Sequence, residues 1–202
     1  MQEVDEYIRR LKYAKEAGTD TLIITDRLEP LQSITFLQQL AFILNKFNME
    51  PCGGFHKTEV QTSGVGLTPD MASFLRHSLG VNMISLSLAS LDSNMNRHLV
   101  HIPDRLYRSI EETCAIIRNA GLDLRISLNM SVYMLDSFNS SCKTLFQKVK
   151  DLGACQLTVR KLYCTGNSPQ SQWVRRYADA ESGRLCDFFE ELTCYIRREG
   201  ML

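Results

Sequence analysis

The chain is organised around residues 21–31, TLIITDRLEPL. Thr21–Thr25 is a short run of β-branched and aliphatic residues, which predicts a strand buried on both faces. Pro30 biases Glu29 away from the helical conformation and so holds its carboxylate on an extended turn just beyond the strand. Because α/β folds bind ligands at the carboxyl ends of parallel strands, Glu29 is a candidate binding residue. The alternative is a solvated turn residue paired with Arg27.

The composition is typical of a globular protein with one domain of ordinary size. The chain has 202 residues, of which 44% are hydrophobic and 23% are charged. Its 23 basic and 23 acidic residues cancel, so no overall field attracts nucleic acid or an anionic membrane. No apolar run approaches the roughly 18 residues of a membrane span, and the acidic N-terminal sequence does not resemble a signal peptide. We therefore expect a cytoplasmic protein that binds neither nucleic acid nor membrane.

The cysteines and histidines do not predict a metal site. The seven cysteines are widely spaced, and no two form the short paired loop of a zinc or iron–sulfur site. Most are therefore expected to be buried, inert thiols. His98 and His101 are three residues apart and could share a metal ion, but the sequence offers no third ligand nearby. We interpret both as loop residues and predict no metal ligands.

Strand and helix patterns alternate along the chain. Strands are predicted at Thr21–Thr25, Phe55–Gln61, Val81–Ala89, Leu124–Val132 and Cys155–Tyr163. Helices are predicted at Val4–Ala17, Ile34–Phe47, Pro69 to about Gly80, Pro103 to about Gly121, Phe138–Leu152 and Leu185–Arg198. Strand starts roughly 30 to 40 residues apart indicate right-handed crossovers and a parallel sheet. Five strands are too few for a closed eight-stranded barrel.

Polar side chains accompany the carboxyl ends of all five predicted strands. Six of them are candidate ligand-binding residues: Glu29, Ser63, Ser85, Ser87, Asn129 and Arg160. The carboxylate could accept a hydrogen bond from an ammonium group, and the arginine could pair with a carboxylate. The serines and the amide could bind a ribose or a carboxylate. The set therefore suits a zwitterionic, hydroxylated small molecule.

The order of these motifs resembles that of the radical S-adenosylmethionine (SAM) enzymes. Thr25–Leu31 is similar to the Gly-Gly-Glu-Pro-like turn with which that family holds the amino group of SAM. Thr62-Ser63-Gly64 is similar to the family's Thr-Asn-Gly-like turn. Ser85-Leu86-Ser87, followed by Leu91-Asp92, is similar to its Ser-x-Ser pattern with a following Leu-Asp. Asn129 stands where the next strand of the family often offers a polar residue to SAM.

The resemblance covers about residues 1–165. It implies an α/β fold, an open, partial TIM-type barrel of about five parallel strands alternating with helices. It also implies SAM as cofactor, bound at the carboxyl ends of the strands by Glu29, Ser63, Ser85, Ser87 and Asn129. Arg160 joins this set on its chemistry and its place at the end of the last strand, not on the resemblance. We expect a single radical-SAM-like domain over residues 1–202, in which residues 166–202 form a loop and a closing helix.

Two features of the sequence depart from the family. Arg27 and Leu28 replace the glycines that usually precede the glutamate. The family's first strand is absent, as is its C-x3-C-x2-C loop, whose three thiolates hold a [4Fe–4S] cluster. This chain is therefore not expected to hold the cluster by itself, and self-contained catalysis is in question. It would be a truncated product, a piece completed by another polypeptide, or a degenerate relative that kept the scaffold.

Two further functions stay open at this point. A non-catalytic relative would bind a partner protein or a nucleotide. The edge of the first strand would then be covered by the leading helix or paired with a strand of another subunit. An unrelated α/β enzyme would bind a phosphate or a sugar at the same strand ends. The sequence does not indicate a substrate.

Overall fold

The structure is a computed structural model. It describes residues 2–26, 29–162 and 183–199, together with residues 169, 172 and 175. The strands are β1 Thr21–Ile24, β2 Lys57–Thr62, β3 Met83–Leu88, β4 Asp123–Met130 and β5 Gln156–Lys161. The helices are α1 Gln2–Glu16, α2 Ile34–Asn48, α3 Pro69–His77, α4 Ser93–Val100, α5 Ile110–Asn119, α6 Val132–Asp136, α7 Cys142–Asp151 and α8 Gly183–Glu199. Short 3-10 turns lie at Pro30–Gln32 and Asp104–Leu106. Arg27, Leu28 and most of residues 166–182 lie outside the described residues.

The five strands form one open parallel sheet in the order β1-β2-β3-β4-β5. Ile23 lies in register with Glu59, and Glu59 lies in register with Met83. Helices between successive parallel strands return the chain to the end of the sheet at which the strands begin. The spatial order of the strands equals their order in the chain. The predicted partial TIM-type barrel is confirmed.

The first strand is less buried than the sequence predicts. Ile24 is only 5% exposed, but Ile23, whose side chain projects to the opposite face, is 49% exposed. The prediction that this strand is buried on both faces is therefore wrong. The physical reason is its place at the end of the strand order, since an end strand is covered by fewer neighbours than a central one.

Strands β3 and β4 each alternate between an apolar face and a polar face. In β3, Ile84 and Leu86 are buried on one face and Ser85 is buried on the other. In β4, Ile126 and Leu128 are buried on one face, and Ser127 projects to the other. Alternate residues of a strand point to opposite faces, so both strands present an apolar face and a polar face.

The helix α3 begins at the predicted residue. Pro69 is its first residue, and Thr68 is its N-cap, with Oγ1 accepting a hydrogen bond from the Met71 N–H at 3.1 Å. The proline has no N–H to leave unpaired at this position, and the threonine satisfies one of the others.

The segment after β3 differs from the prediction of one helix beginning at Pro103. It contains α4 and a 3-10 turn, and α5 begins only at Ile110. Asp92 initiates α4, because its side chain accepts a hydrogen bond from the Met95 N–H at 2.8 Å. His101 ends the helix in a left-handed conformation with φ 54°.

The segment after β4 contains two helices in place of the single one predicted at Phe138–Leu152. α6 begins after the N-cap Ser131, and α7 begins after the N-cap Ser141. Between the two helices, Asn139 and Ser140 have φ values of 55° and 52°. This left-handed backbone cannot continue a right-handed helix, so the chain turns before α7.

The chain groups into two compact units. The first unit comprises Met1–Leu86 and Glu112–Arg125, and its core includes the fully buried Phe47, Val60 and Leu75. The second unit comprises Ser87–Glu111 and Ile126–Leu202. Within the second unit, the rings of Phe138 and Phe188 are 5.3 Å apart between centroids. A single domain over residues 1–202 stays a prediction.

The last helix, α8, is amphipathic. It spans 17 residues and buries Leu185, Phe188 and Leu192, whereas Arg197 and Arg198 are exposed. This pattern is that of a helix packed on a core along one side. In the described part of the chain, no helix combines the length and the apolar character that crossing a bilayer requires.

Candidate functional site

Glu29 lies just beyond β1 with an extended backbone, φ −108° and ψ 111°. The extended turn predicted from Pro30 is therefore confirmed. Pro30 and Leu31 are buried in the 3-10 turn that follows, and Glu29 caps that turn. Its Oε1 accepts a hydrogen bond from the Leu31 N–H at 3.2 Å. The local backbone thus fixes where the carboxylate lies.

The same carboxylate accepts hydrogen bonds from the turn that ends β2. Thr62 Oγ1 donates to Oε1 at 2.5 Å, and the Ser63 N–H donates to Oε2 at 2.8 Å. The Ser63 hydroxyl also donates to Oε2. Glu29 and Ser63 are 34 residues apart in sequence, and the parallel pairing of β1 with β2 brings them together. We call Glu29, Thr62 and Ser63 the Glu29 cluster.

The turn after β2 requires a glycine. Gly64 has φ +84°, and its N–H donates to Thr62 Oγ1 at 2.9 Å. A Cβ atom at this position would lie 2.9 Å from Leu86 Cδ1 and 3.0 Å from Thr113 Cγ2. Both the backbone conformation and the lack of space therefore exclude a larger residue at position 64. The Thr62 hydroxyl donates to Glu29 and accepts from the Gly64 N–H.

The alternative interpretation of Glu29 is a solvated turn residue paired with Arg27. Glu29 is half-buried rather than fully solvated, and its described donors come from Leu31 and from the β2 turn. Arg27, the partner in the alternative interpretation, lies outside the described residues.

Ser85 lies in β3, the strand that pairs with β2. Its register partner is Gln61, which immediately precedes Thr62. Ser85 is only 2% exposed. In the register, Ser85 is thus one position before Thr62 of the Glu29 cluster. Its part in ligand binding stays a prediction.

The other three candidates belong to the second unit. Ser87 in β3 and Asn129 in β4 are half-buried, and Arg160 in β5 is exposed. Each lies near the carboxyl end of its strand, as the sequence predicts. The structure brings Glu29 and Ser63 into direct contact, and a shared role for Ser87, Asn129 and Arg160 stays a prediction.

The sequence interpretation missed a buried ion pair in the first unit. Glu59 in β2 is 1% exposed, and Arg125 Nη1 lies 2.7 Å from both of its carboxylate oxygens. Gln61 Nε2 also donates to Glu59, at 3.2 Å. The signal in the sequence is the alternation Glu59-x-Gln61 in the second strand, together with Arg125 on the polar side of β4. Because burying a lone carboxylate is costly, the pair and its hydrogen bonds belong together.

The described residues contain no group of three or more histidine, cysteine, aspartate or glutamate side chains that could hold a metal ion. His98 belongs to α4 and not to a loop, which corrects the interpretation of that residue. Asp92 initiates a helix there that the periodicity did not reveal. His101 follows that helix, and the two imidazole centroids are 6.3 Å apart.

The cysteines are more exposed than expected. Cys114 and Cys142 are buried, but Cys155, Cys186 and Cys194 are exposed. The expectation of mostly buried thiols is wrong because α8 places Cys186 and Cys194 on its outer side. Burial, with the nearby carboxylate of Glu191, raises the pKa of the Cys142 thiol to about 11.

No family model and no curated protein matches the chain. Several solved structures match the chain. SuiB of Streptococcus suis, bound to precursor peptide SuiA, has a TM-score of 0.62 at 17% identity, over 98% of this chain and 40% of SuiB. SuiB bound to S-adenosylmethionine gives a TM-score of 0.61 at 18% identity, over 97% of this chain and 41% of SuiB.

A third structure is coproporphyrinogen III oxidase (HemN) of Escherichia coli, described as a radical SAM enzyme. It has a TM-score of 0.53 at 16% identity, over 98% of this chain and 46% of HemN. The chain has a radical-SAM-like fold. At this identity the likeness shows the fold alone, and the chain spans less than half the length of SuiB and of HemN. The resemblance predicted from the motif order is confirmed at the level of the fold.

Proposed function

We propose that this chain is a radical-SAM-like domain that binds S-adenosylmethionine at the carboxyl ends of its strands, with the amino group of the ligand at Glu29. The Glu29 cluster carries the proposal. It holds a carboxylate directly after β1, and its donors come from the turn that ends β2. The fold supports the proposal, since SuiB of the same fold has been solved with S-adenosylmethionine bound.

The chemistry of the cluster suits an ammonium group. Within the described residues, the donors to Glu29 are the neutral N–H groups of Leu31 and Ser63 and the hydroxyls of Thr62 and Ser63. Neutral donors orient a carboxylate without cancelling its charge. A half-buried anion gains further stabilisation from a cation, so an ammonium group is the matching ligand.

The remaining candidates extend the same proposal. Ser85, Ser87 and Asn129 would hydrogen-bond the ribose, and Arg160 would pair with the carboxylate of the amino acid portion. The proposal concerns binding of the aminoacyl nucleoside and assigns no reaction to this chain.

Isothermal titration with S-adenosylhomocysteine tests the proposal. The parent chain is expected to bind, and Glu29→Gln, which keeps the shape and removes the charge, is expected to bind about tenfold more weakly or worse. Glu16→Gln, at an exposed position in α1, is the matched control and should bind like the parent. A parent chain that gives no binding heat contradicts the proposal. A thermal shift with sugar phosphates but not with S-adenosylhomocysteine would favour the unrelated α/β enzyme instead.

The position of β1 favours a second candidate function, the binding of a strand from another polypeptide. β1 ends the strand order, and its Ile23 is 49% exposed. A parallel strand can add to such an edge through backbone hydrogen bonds. Sedimentation velocity over a wide concentration range tests self-pairing. We expect the chain to self-associate and Ile23→Lys to weaken that association. A chain that stays monomeric at the highest concentration would count against self-pairing at β1.

A further inference from the structure

We infer that the Ser63 hydroxyl is a displaceable donor, which occupies the place on Glu29 that the ammonium of a ligand needs and so weakens the binding of amines. The inference rests on the proposed function and adds a determinant of affinity to it. It gives Ser63 a role different from that of a direct ligand contact.

The carboxylate of Glu29 is saturated by donors from the described residues. Oε1 accepts from the Leu31 N–H at 3.2 Å and from Thr62 Oγ1 at 2.5 Å. Oε2 accepts from the Ser63 N–H at 2.8 Å and from the Ser63 hydroxyl. A carboxylate offers about four lone-pair positions, so an arriving ammonium is a fifth donor. One existing hydrogen bond has to open before the ammonium can approach closely.

Three of the four donors are held in place. The N–H groups of Leu31 and Ser63 belong to the backbone of two short turns, and neither can leave without unfolding its turn. Thr62 is 3% exposed, and its Oγ1 also accepts from the Gly64 N–H at 2.9 Å. Moving the Thr62 hydroxyl would therefore leave a buried N–H unpaired, which is costly.

The Ser63 hydroxyl is the donor that can leave. Ser63 is half-buried, so its side chain has access to solvent. Apart from its bond to Glu29, its described contact is the Val65 N–H at 3.5 Å, at the limit of a hydrogen bond. A rotation about χ1 moves the hydroxyl to another staggered position, while the Ser63 N–H keeps its bond to Oε2.

The exchange has a cost that a substitution removes. In the parent chain, the ligand gains a charge-assisted bond to Oε2 and loses the O–H bond that it displaces. In Ser63→Ala, a loosely held water takes the place of the hydroxyl, and releasing such a water costs little. The truncated side chain should therefore bind an amine more tightly, which is opposite to the effect of deleting a ligand contact.

The test compares two ligands on parent and Ser63→Ala by isothermal titration. S-adenosylhomocysteine carries the amino group, and 5′-methylthioadenosine lacks it. We expect Ser63→Ala to bind S-adenosylhomocysteine about fivefold more tightly, on the scale of one hydrogen bond, and 5′-methylthioadenosine with unchanged affinity. Ser73→Ala, at an exposed position in α3, is the matched control and should match the parent with both ligands.

Each result has a distinct meaning. If the parent binds S-adenosylhomocysteine and Ser63→Ala binds it equally or more weakly, the inference is overturned and the proposed function stands. If neither protein binds it, the proposed function fails and the inference fails with it. Ser63→Cys provides a second variant, because its thiol is a weaker donor, and it should shift the affinity in the same direction by a smaller factor.

Discussion

At the scale of single residues, the hydroxyl of Thr62 joins the two turns of the Glu29 cluster. It donates to Glu29 and accepts from the Gly64 N–H, and it is buried. Sequence motifs placed Glu29 and Ser63 in the candidate site. They could not show that the donors saturate the carboxylate, because hydrogen bonds between residues distant in sequence depend on the strand register.

Replacing Thr62 by valine should destabilise the first unit. Thr62→Val removes the donor to Glu29 and leaves the buried Gly64 N–H unpaired, so we expect a loss of about 2 kcal/mol in the free energy of unfolding. Urea unfolding followed by circular dichroism measures this loss. Thr35→Val, at an exposed position in α2, is the control. A loss for Thr62→Val no larger than for the control would contradict the role of this hydroxyl.

The cysteines should differ sharply in reactivity. The pKa of Cys142 is raised to about 11 by burial and by Glu191, so its thiol stays protonated at pH 8. A maleimide at pH 8 should label the exposed Cys155, Cys186 and Cys194 within minutes and Cys142 only after unfolding. Peptide mass spectrometry reads out each position. Labelling of Cys142 in the folded chain at the rate of Cys155 would contradict its burial.

At the scale of elements, periodicity predicted the five strands and most of the helices, and single residues decided what it missed. The alternation of β3 and β4 was visible because one face of each is apolar. The boundary between α6 and α7 depends on two left-handed residues, Asn139 and Ser140, which apolar periodicity does not reveal. The exposure of β1 depends on the strand order, which no local pattern contains.

The cap of α4 gives a prediction for an element that periodicity missed. Asp92→Ala removes the acceptor for the Met95 N–H and should lower the stability of the chain by about 1 kcal/mol. Chemical denaturation provides the measurement, and Asp92→Asn should recover most of the loss because asparagine is also a good N-cap. Equal losses for alanine and asparagine would indicate that the charge matters and not the cap.

At the scale of the whole molecule, one ion pair joins two strands of the first unit that are distant in sequence. Glu59 and Arg125 are 66 residues apart and lie on β2 and β4, which flank β3. Local patterns gave both residues as polar strand positions. Their pairing follows only from the parallel register and from the cost of an uncompensated buried charge.

The ion pair makes a prediction that separates charge from packing. Arg125→Met should lower the stability by about 3 to 5 kcal/mol, because it leaves the buried carboxylate of Glu59 without its cationic partner. The double variant Glu59→Gln, Arg125→Met should recover much of that loss. Thermal unfolding of the parent, both single variants and the double variant forms a cycle. A double variant as unstable as the sum of the single variants would show that the two residues act independently.

The placement of the ligand's amino group at Glu29 is the central claim, and a crystal structure with bound S-adenosylhomocysteine measures it directly. We expect the amino nitrogen to lie about 3 Å from Glu29 Oε2, with the Ser63 hydroxyl rotated away from that oxygen. An amino nitrogen bound elsewhere, with the four donors still on Glu29, would contradict the account.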